Sequence, residues 1–393
     1  MEFEYMYDFD TPIDRYVGYS KKWHKYPERD ILPLWVADMD FPAAPEIMAS
    51  LEHSLRHGVF GYSIQPDVVK NDVVTYLKHE YNWEITSADI LWLPGTVAGI
   101  NLSCRALTGD NEAVITATPI YPPFLSAPKL SDRGLITTEL VKTDGVWQWN
   151  LADLEQKILQ SPKKARLLLL CNPHNPVGRV WTRDELEQLL ELAIRHDLLI
   201  CSDEIHCGLV LDLNSKHIPF ASLNAEAAKR TVTLMAPSKT YNLAGLNCAF
   251  VVASNLTLRT KFMNAMRGLF SEVNTFGITA CQAAFTKCSA WREELLDYLR
   301  TNRDLVVREL ANLPDLEVTV PEATYLAWID GRKLCAKYQI TNLEKFFEAA
   351  GVGLSNGADF GGEGFVRLNF ATNRAILNEA LQRMKLATKE LSS

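Results

Sequence analysis

The chain has 393 residues, of which 47% are hydrophobic and 22% are charged, and its formal net charge at pH 7 is -8. This length is sufficient for two domains with sizeable cores, and the negative charge argues against nucleic acid or an anionic membrane surface as a partner. No apolar run approaches the roughly 20 residues that span a bilayer, and the acidic, aromatic N-terminus does not resemble a signal peptide. The eight cysteines are scattered without a CxxC pair, so we expect neither a metal site nor disulfides and predict a cytoplasmic location.

The N-terminal part of the chain is irregular and rich in aromatic side chains. Within it, the apolar run from Leu32 to Ala37 predicts an edge strand. The spacing of apolar residues then predicts a helix from Glu46 to His57. The stretch from Phe60 to Ser63 predicts an exposed turn that contains Tyr62.

Strands and helices alternate further along the chain, which predicts a mostly parallel sheet. The apolar run from Ile90 to Leu93 is followed by Gly95, Thr96 and Val97, which open a helix. The free N–H groups and the dipole at such a helix start favour a bound anion. The alternative is an ordinary glycine-containing turn between a strand and a helix. After the next predicted strand, prolines on both sides of Tyr121 fix its orientation.

Three further apolar runs predict consecutive buried strands, and each is followed by a polar residue suited to bind a ligand. Asn175 follows the first run, Asp203 follows the second, and Ser238 and Lys239 follow the third. The ends of parallel strands meet at one edge of a sheet, so these side chains are expected to lie within reach of one bound molecule. A Ser-Lys pair in a loop is otherwise an ordinary solvated surface feature. The three runs are Leu167–Cys171, Leu198–Cys201 and Thr231–Met235.

The last third of the chain differs in its pattern. A long helical region extends to about residue 312, and its later part is typical of a connecting helix between domains. The remainder predicts a smaller α+β unit, and one of its strands contains Arg367. We therefore predict an α/β protein with two domains. The large domain, with a mostly parallel central sheet, covers 46–285, and the smaller α+β domain combines 1–45 with 286–393.

Lys239, Asp203 and the helix start at Gly95 together indicate pyridoxal 5'-phosphate (PLP) as the cofactor. A lysine can bind its aldehyde, an anion site can bind its phosphate, and a carboxylate can keep its ring nitrogen protonated, which makes the ring an electron sink. Asp203 suits that nitrogen, Asn175 can donate a hydrogen bond to the phenolic oxygen, and Tyr121 can stack on the ring. An isolated aspartate at a strand end is otherwise often a helix cap or a surface acid.

Several segments resemble fold type I PLP-dependent enzymes, the aspartate-aminotransferase type, over nearly the whole chain. These segments are PGTVAGI, PIYPPF, NPHNPVGR, SDEIH, SKTYNLAG and FVRLNF. Others are similar more narrowly to the cystathionine β-lyase subfamily, the MalY/PatB-like C–S lyases: LPLWVADMDF, GVFGYS, SDEIH together with HIPF, and TYLAWID. Where this chain has His206, an ordinary aminotransferase would carry a tyrosine.

The resemblance implies a role for each matched residue. Lys239 would hold PLP covalently and then transfer the proton of the substrate Cα. Arg367 would bind the substrate α-carboxylate as a bidentate fork, although an arginine within a strand is more often a surface residue. In a homodimer, Tyr62 would reach across the interface to the phosphate of the partner's cofactor, and His206 would lie beside the phenolic oxygen. The phosphate would be held by Gly95, Thr96, Val97 and Ser238.

Two positions depart from the family pattern. Many family members bind the phosphate with a serine and an arginine where this chain has Ala236 and Asn247. Ser238 and the helix start must then hold more of the phosphate, which predicts weaker retention of the cofactor.

The resemblance implies α,β-elimination of L-cystathionine or another L-cysteine S-conjugate to a thiol, pyruvate and ammonia. Two alternatives stay open. A class I/II aminotransferase would share the PLP contacts but return the proton to the cofactor, and a regulator built on the same fold would need no chemistry. The presence of Lys239, Asp203 and Arg367 favours an enzyme, and the subfamily motifs favour the lyase.

Overall fold

Strands and helices alternate along the residues that this computed structural model describes, which are 6–27, 30–62, 64–270 and 272–391. Ser63, in the predicted exposed turn, lies outside the described residues. The strands are β1 (Leu32–Pro33), β2 (Ile90–Leu93), β3 (Glu112–Thr118), β4 (Gly134–Glu139), β5 (Val141–Thr143), β6 (Val146–Gln148), β7 (Lys164–Cys171), β8 (Leu199–Asp203), β9 (Thr231–Met235), β10 (Ala249–Val252), β11 (Glu317–Val318), β12 (Leu326–Asp330), β13 (Val352–Gly353), β14 (Ser355–Asn356) and β15 (Phe365–Asn369). The α-helices are α1 (Pro45–His57), α2 (Asp67–Tyr81), α3 (Thr96–Leu107), α4 (Pro123–Leu130), α5 (Leu151–Gln160), α6 (Arg183–Arg195), α7 (Ala225–Arg230), α8 (Leu256–Met266), α9 (Thr275–Lys287), α10 (Ser289–Ala311), α11 (Arg332–Tyr338), α12 (Leu343–Ala349) and α13 (Arg374–Glu390).

A seven-stranded sheet in the order β2-β10-β9-β8-β7-β3-β4 forms the centre of the larger part of the molecule. Strand β10 is antiparallel to both of its neighbours, and the other pairs are parallel. Every residue of β8 and β9 is buried, as expected for central parallel strands that are covered on both faces. The predicted α/β fold with a mostly parallel central sheet is confirmed.

The parallel strands bring the ends of distant segments to one edge of this sheet. Asp203 is the last residue of β8, where it pairs in register with Cys171 at the end of β7 and with Leu234 near the end of β9. The segments that carry Asn175 and Lys239 therefore start beside Asp203.

A second sheet, with the order β11-β12-β15-β14, is antiparallel and contains Arg367 in β15. The N-terminal segment joins this part of the molecule, because β1 pairs in parallel with β13. The predicted edge strand from Leu32 to Ala37 is wrong in length, because only Leu32–Pro33 forms strand pairing. Beyond it, the carbonyls of Val36 and Asp38 accept hydrogen bonds from the Asn369 side chain, at 2.7 and 2.6 Å, instead of from a neighbouring strand. The domain boundaries stay a prediction.

The helix predicted from Glu46 to His57 is present as α1. The long helical region predicted to about residue 312 consists of three separate helices, α8, α9 and α10. Helix α8 ends where Arg267, with φ of -57° and ψ of 123°, leaves the helical conformation, and Gly268 follows with a left-handed φ of 75°. Asn274 then starts α9 by accepting a hydrogen bond from the Gly277 N–H at 2.8 Å. No helix among the described residues is both long enough and apolar enough to cross a membrane.

Candidate active site

A cavity of about 320 Å³ lies at the carboxyl ends of the central strands, between the seven-stranded sheet and the four-stranded sheet. It brings together nearly all of the residues predicted to bind PLP or substrate. Tyr62 is the exception, because its side chain is fully exposed and does not line this cavity. The predicted residues that do line it are Gly95, Thr96, Val97, Tyr121, Asn175, Asp203, His206, Ser238, Lys239 and Arg367.

Lys239 lies in the turn after β9, and its ammonium group points to the wall of the cavity opposite the sheet. Its Nζ donates a hydrogen bond to the carbonyl oxygen of Ala37 at 2.5 Å. Burial and the positive charge of Arg367 lower the pKa of Lys239 from 10.5 to about 8. The amine therefore loses its proton far more easily than a surface lysine does, which suits reaction with an aldehyde.

Asp203 is buried at the end of β8, and its Oδ1 accepts a hydrogen bond from the Ile205 N–H at 3.2 Å. Burial raises the pKa of this carboxyl group from 3.8 to about 7, and the neighbouring Glu204 adds to the rise. A cation placed beside this buried carboxyl group would stabilise its ionised form. The site therefore fits a protonated pyridine nitrogen.

Arg367 and Asn175 form a hydrogen-bonded pair in the wall of the cavity. The Arg367 Nη1 donates to the Asn175 Oδ1 at 3.0 Å, and Nη2 donates to the Trp35 carbonyl at 3.0 Å. The guanidinium carbon lies 4.6 Å from the centre of the Phe360 ring. Because Arg367 occupies the amide oxygen of Asn175, the amide NH₂ remains to donate to another acceptor. The Nε of Arg367 has no hydrogen-bond partner among the described residues.

The start of α3 forms another wall of the cavity. Gly95 precedes the helix in an extended conformation, and no side chain caps the first N–H groups of α3. These donors and the helix dipole suit a phosphate group. Ser238 and Asn247 also line the cavity, whereas Ala236 packs into the apolar core beneath the sheet.

His206 is buried beside Lys239 and Arg367. Burial and those two positive charges hold the pKa of His206 well below its ordinary value of 6.5, so the imidazole is neutral. Its ring packs edge-on against Tyr325, with 6.3 Å between ring centres. The Nδ1 of His206 has no hydrogen-bond partner among the described residues.

Sequence reasoning missed the segment 35–38 as part of the site. Val36 and Ala37 line the cavity, and the Ala37 carbonyl accepts hydrogen bonds from both Lys239 and the Tyr325 hydroxyl, the latter at 3.1 Å. The motifs LPLWVADMDF and TYLAWID, which suggested the C–S lyase subfamily, contain these residues. The presence of both motifs in the sequence was the signal that could have identified this wall.

Residues 29–384 match the aminotransferase class I and II family. The chain belongs to this family. Cystathionine β-lyase PatB of Bacillus subtilis is 35% identical over 391 residues, which cover 97% of this chain and 99% of that protein.

Solved structures of other proteins are also similar to this chain. The crystal structure of OvoB is 44% identical and has a TM-score of 0.94, covering 97% of this chain and 99% of that one. The structure of cystalysin from Treponema denticola, which contains a PLP cofactor, is 32% identical with a TM-score of 0.92 and covers 98% of this chain and 100% of that one. The predicted fold type I architecture and the resemblance to C–S lyases of this family are confirmed.

Proposed function

We propose that this protein is a PLP-dependent C–S β-lyase, which converts L-cystathionine or another L-cysteine S-conjugate to a thiol, pyruvate and ammonia by α,β-elimination. The observation that carries the proposal is the convergence of Lys239, Asp203 and Arg367 in one buried cavity. The names of the relatives point to the same reaction, since PatB is a cystathionine β-lyase.

The residues of the cavity fit PLP in five places: its ring nitrogen, phenolic oxygen, ring face, aldehyde carbon and phosphate. Asp203 would pair with the ring nitrogen, the NH₂ group of Asn175 would donate to the phenolic oxygen beside the neutral His206, and Tyr121 would lie on the ring face. Lys239 would hold the aldehyde carbon. The phosphate would be bound by Gly95, Thr96, Val97 and Ser238. When bound, PLP supplies an electron sink for negative charge at the substrate Cα.

Lys239 and Arg367 would be the residues of the chain that act directly on the substrate. The Lys239 amine, with its lowered pKa, would take the Cα proton once the substrate amine has displaced it. Arg367 would bind the α-carboxylate, which offers two oxygens to its free donors. Of the described residues, Arg367 is the one arginine that lines the cavity. This favours elimination from a cysteine S-conjugate, which needs no second arginine, over transamination of an amino acid such as aspartate, whose side-chain carboxylate would need one.

A second copy of the chain would complete the site. Tyr62 is fully exposed, and its neighbours Val59, Phe60 and Ile64 are exposed apolar residues. On α1, Leu55 is also exposed, although the apolar spacing of the helix includes it. A homodimer would cover this apolar surface and place Tyr62 against the phosphate of the partner's cofactor. All eight cysteines, which lie within the described residues, are free, in keeping with a cytoplasmic location.

Incubation of the PLP-loaded protein with L-cystathionine, without any keto acid, tests the reaction. The lyase predicts equal amounts of pyruvate and thiol, and Lys239→Ala should produce neither. If amino groups are transferred only when a keto acid is added, and no thiol is released, the protein is an aminotransferase. If cells that carry Lys239→Ala kept the phenotype of cells with the parent protein, a regulatory role on the same fold would explain the protein better than catalysis.

A further inference from the structure

Glu204 follows Asp203 directly but points to the opposite side of the strand end, away from the cavity, as alternation along a strand requires. Its side chain is completely buried. An apolar residue would fill such a position without the cost of removing a carboxylate from water. We therefore ask what the buried carboxyl group of Glu204 does.

Three donors from two separate parts of the chain hold the Glu204 carboxylate. The Ser202 hydroxyl and the Phe220 N–H donate to Oε1 at 2.7 and 2.9 Å. The Nε2 of His217 lies 2.8 Å from Oε2, and the side chains of both partners are essentially inaccessible to solvent. His217 is fixed in turn by the Tyr81 ring, which meets it edge-on at 5.2 Å between ring centres.

These bonds join the loop before Phe220 to the turn that builds the cavity. Asp203, Ile205 and His206 of that turn line the cavity, while Glu204 between them anchors it from behind. The backbone closes the turn through the Cys207 N–H, which donates to the Glu204 carbonyl at 3.0 Å. The pairing of β8 and the Glu204 N–H, which donates to the Leu234 carbonyl at 2.9 Å, hold the main chain of the turn. The Glu204 carboxylate adds a side-chain anchor between Asp203 and His206, so its loss would let both side chains shift.

We propose that Glu204 and His217 are positioning residues, which hold the turn 203–207 so that Asp203 and His206 face the cofactor. The inference deepens the proposed function and rests on it, since it concerns the binding of PLP. The Glu204–His217 pair lies outside the cavity and would touch neither the cofactor nor the substrate. It also accounts for the joint occurrence of the SDEIH and HIPF motifs, which carry the two partners.

The test compares Glu204→Gln with a control at a more exposed Glu–His pair, Glu155→Gln. Glu155 contacts His196 at the same 2.8 Å distance and also binds Arg195, and none of these residues lines the cavity. Glutamine at 204 keeps an oxygen for Ser202 and Phe220 but presents an uncharged NH₂ group to His217, so the carboxylate acceptor for the His217 Nε2 is lost. Loss of one charge-assisted bond corresponds to about a tenfold effect. We measure the Kd for PLP by titrating the cofactor-free protein, and the visible circular dichroism of the bound cofactor, which reports its orientation.

The proposal predicts that Glu204→Gln raises the Kd for PLP about tenfold and weakens the visible circular dichroism, while Glu155→Gln leaves both within about twofold of the parent. His217→Ala should change both readouts in the same direction, and it carries the test if Glu204→Gln does not fold. A Glu204→Gln protein with the parental Kd and dichroism would overturn the inference even if its Tm fell. Equal effects of both glutamine variants would overturn it too. A parent protein that binds no PLP would instead contradict the proposed function.

Discussion

Replacing Asp203 by asparagine should stabilise the cofactor-free protein at alkaline pH. Burial raises the pKa of Asp203 from 3.8 to about 7. Between these values the folded state holds a proton that the unfolded state has lost, so the free energy of unfolding falls as the pH rises. The fall is about 1.4 kcal/mol per pH unit, which amounts to about 4 kcal/mol for this group above pH 7. Asparagine cannot ionise and avoids this loss.

Denaturant unfolding of the cofactor-free parent and of Asp203→Asn at pH 5 and pH 8 measures the effect. Asparagine keeps an oxygen for the Ile205 N–H, and any constant cost of its buried amide cancels between the two pH values. The variant should gain about 3 kcal/mol relative to the parent from pH 5 to pH 8. It should also bind PLP more weakly, because the ring nitrogen loses its carboxylate. Parallel pH profiles of the two proteins would refute the reasoning.

The remaining predictions concern substrate, partner subunit and phosphate. Arg367→Lys removes one arm of the carboxylate fork and should lower kcat/KM by roughly 30-fold, about 2 kcal/mol. The control Arg179→Lys, at a buried arginine away from the cavity, should lower only the Tm. Equal losses of kcat/KM in the two variants would contradict the role of Arg367. Tyr62→Ala and Lys239→Ala should each be inactive alone. When the two variants are mixed and re-associated, one site of each mixed dimer combines an intact Lys239 with the intact Tyr62 of the other subunit, and it should recover activity. No recovery would argue against a shared site. Ser238→Ala should weaken PLP binding measurably in a titration of the cofactor-free protein, and very tight binding that this change leaves unaltered would contradict the predicted dependence on Ser238.

The central strands and the residues at their ends were predictable because their signals are local. The run that forms β7 is apolar at successive positions, and the parallel direction of the central strands follows from their alternation with helices. Asn175, Asp203 and Lys239 then meet because parallel strands end at one edge. That edge could be predicted from strand direction alone.

Contacts between distant side chains were not predictable in the same way. The segment 35–38 looks like a strand in apolar pattern, but its carbonyls are held by the side chains of Asn369, Tyr325 and Lys239. The end of α8 depends on the backbone of Arg267 and on the left-handed Gly268 after it, a conformation that glycine permits but does not require. The pairing of Glu204 with a loop histidine likewise has no periodic signal.

The most direct test of the central claim is the number of pyruvate molecules formed per bound PLP when the protein acts on L-cystathionine without a keto acid. Elimination regenerates the PLP form in every cycle, so the account predicts many pyruvates per PLP, each matched by one thiol. Formation of no pyruvate and no thiol, with a single conversion of the cofactor to its amine form, would contradict it.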